Sequence, residues 1–175
     1  MRRSSFIFII LLCCFVHSYA QSVGCPRLPD KYEWKTARDY KRDEDLVLRT
    51  LQWLNATPMN EQLVARSNAN LFVMKWICGS PTLKLVIETG SLPFYEEFPD
   101  LLFPYIHGVA QCNLTKNKSC DELKATINGF HIVAFMIQND DSLKKNKSLQ
   151  ALVKASKKGK MELYVQSLRN KKTNR

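Results

Sequence analysis

Histidine is scarce in this chain of 175 residues, with three in all. One of them, His17, falls in the first twenty residues, leaving His107 and His131 in stretches with helical apolar spacing. No His-Glu-x-x-His pair is present, and a zinc site would want ligands that the sequence does not place beside either one. Glycine is equally sparse at six. There is no phosphate-cradling glycine loop, no dinucleotide fingerprint and no Gly-x-Ser-x-Gly elbow. The cysteines lack any Cys-x-x-Cys, which removes redox-motif and zinc-ribbon readings. Acidic residues cluster only as sequence neighbours: Asp43-Glu44-Asp45, Glu96-Glu97 and Asp140-Asp141. Neighbours on a helix point about 100° apart, so they do not form the facing carboxylate pair of a glycosidase. Asp43-Glu44-Asp45 also lies in a helical first turn, where negative charge suits the dipole. After residue 20 no apolar run approaches the roughly 20 residues of a membrane span. These absences leave no catalytic, metal or cofactor-binding residue to name and imply no cofactor. An enzyme with residues scattered across the fold is the alternative they leave open.

What is present begins at the N-terminus. Arg2 and Arg3 precede an eleven-residue apolar stretch, Phe6 to Val16, and Ser18-Tyr19-Ala20 places small residues around a cleavage point. Residues 1–20 therefore read as an export signal, with Gln21 as the mature N-terminus. Cys25 lies too far beyond the apolar stretch, and Cys13 and Cys14 follow no small residue, so lipidation is not indicated. No repeat or interior linker divides the remainder, and 21–168 reads as a single helical domain. Residues 169–175 read as a basic disordered tail.

The fold class expected is all-α, with five to six helices arranged as antiparallel αα-hairpins. Leu46, Val47, Leu51 and Leu54 give Asp39 to Leu54 a helical stripe. Asn55-Ala56-Thr57-Pro58 reads as a stop and restart, with Thr57 as N-cap and Pro58 in the first turn. The second helix should run to about Cys78, with Leu63, Ser67, Leu71, Met74 and Cys78 facing the core and Arg66, Asn70 and Lys75 facing away. Gly79 then reads as a left-handed C-terminal residue and Pro81 as a stop. On this reading Trp76 and Cys78 close a helix and have no catalytic part. Residues 82–88 alternate only partly and, having no strand to pair with, read as extended. A third helix covers about 100–112, with Pro104 in its first turn. A fourth starts at a Ser119/Glu122 capping box and carries Leu123, Ile127, Phe130, Ala134 and Ile137 on one side. Leu149, Leu152 and Val153 mark a fifth, and Met161, Tyr164, Val165 and Leu168 a sixth after Gly159.

The stretch NATPMNEQLVARSNANLFVMKWICGSPT resembles a pattern seen in a family of exported all-helical proteins of Bacteroidetes. In that pattern a short helix ends in a Thr-Pro restart, and an Asn-Ala-rich helix closes with an apolar-Trp-x-x-Gly-x-Pro stop. The likeness spans roughly residues 38 to 82, with a weaker echo in KASKKGKMELYV, and the Ala-Gln signal end is similar. It implies an exported, helical, bacterial protein. The family carries no assigned activity, so no site residue follows from it.

Four cysteines follow the signal: Cys25, Cys78, Cys112 and Cys120. In an exported chain they read as disulfide candidates, Cys112–Cys120 across a hairpin corner and Cys25–Cys78 from the N-terminal arm to the second helix. Free buried thiols are the other option. Four Asn-x-Ser/Thr triplets, at Asn55, Asn113, Asn117 and Asn146, would be glycan acceptors only in an animal protein, where a helical cytokine-like ligand becomes the alternative.

The formal net charge of +10 is unevenly placed: residues 141–175 hold 11 of the 26 basic residues and two of the 16 acidic ones. From residue 21 to residue 140 the chain is close to neutral. Lys154, Lys157, Lys158 and Lys160 are the candidate anion-contacting residues within this segment, although a solvated helix face would account for them as well. Lysines dominate and Tyr164 is the one aromatic there, which supplies point charges without the stacking platforms or forked donors of nucleic-acid readers. The partner expected is an envelope protein or an anionic surface, with nucleic acid disfavoured. The sequence thus points to an exported helical interaction or structural protein.

Overall fold

The first helix, α1 (Ala37–Ala56), begins at a capping box in which Thr36 and Asp39 satisfy each other's backbone N–H groups. In the arm before it, the Trp34 indole donates to Asp43 Oδ2 at 2.8 Å. Tyr32 and Trp34 of the arm both lie against Phe72, with ring centroids 5.0 and 5.4 Å away. This is a computed structural model that describes residues 24–173 apart from 84, 86, 88 and 116–119, with only the backbone at Thr89 and 171–173. The expected signal at 1–20, the cleavage before Gln21 and the Ser119 cap lie outside the described residues.

The restart expected at Thr57 is not where the second helix begins. Thr57 is the C-cap of α1, and its hydroxyl donates back to Trp53 O at 2.9 Å, so it closes the helix behind it. The second helix, α2 (Leu63–Gly79), starts six residues later, after a turn in which Gln62 takes a left-handed φ of 47°. Its buried face is also a correction. Arg66, Ala69, Phe72, Val73, Trp76 and Ile77 point inward. Leu63 and Leu71 are each 64% exposed and Ser67 and Cys78 are exposed, so most of the stripe expected to be core faces solvent, while Met74 packs half-buried against the core. The reason lies in the partners, because the arm's aromatics and α1 receive Phe72 and Trp76, whose larger surface decides the rotation. Gly79 remains helical; a side chain there would strike the Tyr40 hydroxyl, so close packing selects it, not backbone handedness.

Residues 83, 85 and 87 belong to no helix or strand, and buried Leu83 packs into the core formed by the arm, α1 and α2. After a short 3-10 turn at Pro99–Leu101 comes α3 (Leu102–Leu114), with Pro104 in its first turn. Next, α4 (Glu122–Gln138) starts at Asp121, whose carboxylate accepts from Lys124 N at 2.8 Å. The helices α3 and α4 pack most closely where two glycines face each other: a Cβ on Gly108 would sit 2.7 Å from Gly129 Cα. The chain then forms a compact hairpin of α5 (Gln150–Lys157) and α6 (Met161–Thr173), turned by Gly159 at φ +62°. The helix α6 includes residues 169–173, where a disordered tail was expected.

All six α-helices of the described residues join one domain with two cores that share α3. Ile106, Ala110 and Leu114 face the core of the arm, α1 and α2. Leu101 and Tyr105 face the core built from α4, α5, α6 and the 92–98 segment. Among the described residues no strand forms, and no helix is long and apolar enough to cross a membrane.

Candidate functional site

Three of the four lysines singled out in the sequence come together. Lys154 and Lys158 at the end of α5 and Lys160 just before α6 line a groove of about 410 Å³, walled by Ala155, Leu163 and Tyr164. The fourth, Lys157, is exposed and lies outside it. None of the four makes an ion pair with a described residue, whereas Lys144 is paired with Asp141 and Arg169 with Glu122. Helix geometry supplies a local reason for part of this charge: Lys154 and Lys157 occupy the last turn of α5, where the exposed carbonyls attract cations. What the dipole does not explain is Leu163, 62% exposed beside the lysines.

The hairpin that carries the groove is firmly seated. Leu149, Leu152, Val153, Met161 and Val165 are buried in the α4-side core. Tyr164 meets Phe130 edge-on at 5.9 Å, and its burial pushes the phenol pKa up. Arg169 donates to Glu122 Oε1 at 2.7 Å, pinning α6 to the start of α4. Leu163 was missed in the sequence because the apolar stripe of α6 is satisfied by Met161, Tyr164, Val165 and Leu168. Its position off that stripe was the available signal.

The cysteines divide. Cys112 and Cys120 form a disulfide that joins the end of α3 to the start of α4, with Cα atoms 5.8 Å apart. The Cys25–Cys78 bridge is not formed: Cys78 sits on the outward face of α2, and Cys25 is a partly buried thiol whose pKa burial raises. The expectation of that bridge assumed the opposite rotation of α2.

Among the described residues no group of His, Cys, Asp and Glu side chains could hold a metal ion. One serine–histidine contact exists, His131 Nδ1 to Ser156 Oγ at 3.3 Å. No described carboxylate orients the other ring nitrogen, so the pair lacks the third member of a nucleophilic triad. The second histidine, His107, is fully buried, with neither ring nitrogen hydrogen-bonded to a described residue. Burial, helped by the Arg66 charge, lowers its pKa to about 3. It is a neutral packing residue at ordinary pH.

Compared with known proteins, the chain matches no family model, no curated protein and no solved structure.

Proposed function

We propose that this is an exported, non-catalytic binding protein that attaches to an anionic lipid surface through the α5–α6 groove. The observation that carries this reading is the convergence of Lys154, Lys158 and Lys160, free of ion pairs among the described residues, around an exposed Leu163. An aliphatic side chain ringed by lysines fits an interface where head groups take the charge and acyl chains take the leucine. The signal-like residues 1–20, the resemblance to exported helical proteins and the Cys112–Cys120 disulfide support export.

Vesicle co-sedimentation of residues 21–175 tests it. Binding to phosphatidylglycerol vesicles at low salt should fall steeply at physiological salt, because each neutralised phosphate releases counterions. Each lysine near the surface contributes about 1 kcal/mol. A Lys154→Glu/Lys158→Glu/Lys160→Glu variant should therefore lose binding, while Lys144→Glu/Lys145→Glu should lose far less. Leu163→Ala should weaken vesicle binding but not retention on an acidic polysaccharide. Absence of low-salt binding, or equal loss in the two lysine variants, removes the groove as the attachment site.

A further inference from the structure

A second cavity, of about 200 Å³, lies between the α1–α2 turn and the start of α3. Its lining comes from Met59, Arg66 and Asn70 on one side and Asp100, Phe103 and Pro104 on the other. Arg66 is the unusual member, an arginine residue only 7% exposed. Its Nη2 donates to Leu54 O at 2.9 Å and also to Thr57 O, and its Nε donates to Pro58 O at 3.3 Å. The Leu54 and Thr57 carbonyls belong to the end of α1, so part of the guanidinium caps a helix end that has no basic residue in its own last turn. The rest is uncommitted: Nη1 makes no hydrogen bond to a described residue, and Arg66 has no ion-pair partner among them. Burial lowers its pKa, with Glu61 acting on it only through its charge at a distance. A buried cation whose spare donors open onto a cavity is costly unless something anionic fills it.

The opposite wall supplies a complementary charge. Asp100 lines the same cavity from the 3-10 turn before α3 and is exposed. The rest of the lining is Asn70 together with the apolar Met59, Pro104 and Phe103, the last backed by the neutral ring of His107 with centroids 6.5 Å apart. The volume is roughly seven times that of one liquid water, room for a ligand of about six to nine non-hydrogen atoms.

We propose that this cavity binds a small zwitterion of the α-amino acid class, its carboxylate on Arg66, its ammonium on Asp100 and its side chain against Met59, Phe103 and Pro104. The site is separate from the lysine groove and does not rest on lipid attachment. A ligand without a carboxylate leaves the buried Arg66 donors unsatisfied, while one without an ammonium only forgoes the weaker contact with the exposed Asp100.

Titration calorimetry of residues 21–175 with glycine, L-alanine, L-valine and L-leucine tests this, beside isobutyrate and isobutylamine, which each keep one charge of valine. Affinity should rise from glycine to valine as the apolar side chains are covered; isobutylamine should bind at least about tenfold more weakly than valine, and isobutyrate about threefold more weakly. Arg66→Met removes the cap of α1 and can fail to fold, so Asp100→Asn and Met59→Trp carry the proof. The first should weaken valine binding about threefold, and the second should block it by filling the cavity, with thermal unfolding unchanged in Asp100→Asn. No heat and no thermal shift with any of the four amino acids overturns the proposal. So does isobutyrate binding as tightly as valine, or Asp100→Asn binding like the native chain.

Discussion

A buried histidine with no hydrogen-bond partner makes the protein's stability depend on pH. In the folded chain His107 titrates at about 3, against an ordinary value near 6.5 when unfolded. The unfolded state therefore takes up the proton first, and stability present above pH 6.5 is lost as pH falls toward 3. At about 1.36 kcal/mol per pH unit, lowering pH from 6.5 to 5 should cost about 2 kcal/mol through this residue. His131, lowered in the same direction by burial, adds to the slope. Urea titrations at both pH values should show a shallower dependence in His107→Leu; an unchanged slope would place the proton uptake elsewhere. Thiol chemistry separates the cysteines at the same scale. Residues 21–175, unfolded without reductant, should titrate two thiols, and in the folded chain Cys78 should react before Cys25, which is shielded by burial. Four titratable thiols would contradict the Cys112–Cys120 bridge.

Helix α2 shows how an element's rotation can reverse a reading made from its sequence. Both faces of LVARSNANLFVMKWICG carry apolar residues, so periodicity alone does not select between Leu63, Leu71 and Cys78 on one side and Phe72, Val73 and Trp76 on the other. Substituting the exposed Leu71 by Gln should change stability by no more than about 0.5 kcal/mol, while Phe72→Ala should cost about 3–5 kcal/mol by emptying the space under Tyr32 and Trp34. Similar losses in the two denaturant titrations would return the helix to the opposite rotation. The α3–α4 contact is set by its glycines in the same way. In Gly108→Ala the new methyl meets Asn128 O at 2.8 Å and Gly129 Cα, both backbone atoms that cannot swing aside. The gain in helix propensity offsets part of the overlap, and a net loss of about 2 kcal/mol is expected in thermal or urea unfolding. A variant as stable as the native chain would mean the helices part without cost.

At the scale of the whole molecule, the sharing of α3 between two cores should make them melt together. The three tryptophans Trp34, Trp53 and Trp76 all belong to the core of the arm, α1 and α2, whereas Phe130 and Val165 report the other. Tryptophan fluorescence and far-ultraviolet dichroism should therefore give one midpoint, and Phe130→Ala should lower that midpoint in the fluorescence signal too. Two separate transitions would show that α3 does not couple the cores. Reducing the Cys112–Cys120 bridge, which closes a short loop, should lower stability by about 2.6 kcal/mol in the chain-entropy picture.

The sequence by itself determined the helical class and the approximate places of the helices, and it offered Cys112–Cys120 as a candidate pair, because apolar spacing, prolines and closely spaced cysteines act over short distances along the chain. Pro104 in a first turn and the clustering of lysines after residue 141 were legible for the same reason. Tertiary structure decided the rest. Thr57 became a C-cap and Asp121 an N-cap because a hydroxyl can donate to the carbonyls at a helix end, while a carboxylate can only accept from the N–H groups at a helix start. The arm's aromatics turned Phe72 and Trp76 inward, and with them drew Arg66 from its expected solvent face to the end of α1. That rotation left Cys78 unpaired and opened the cavity beside Asp100. The lysine groove likewise needed the left-handed turn at Gly159 to bring Lys160 beside Lys154 and Lys158. Residue pattern reports which side chains a helix carries, but when two faces are apolar, only the surfaces packed against it determine which one is buried.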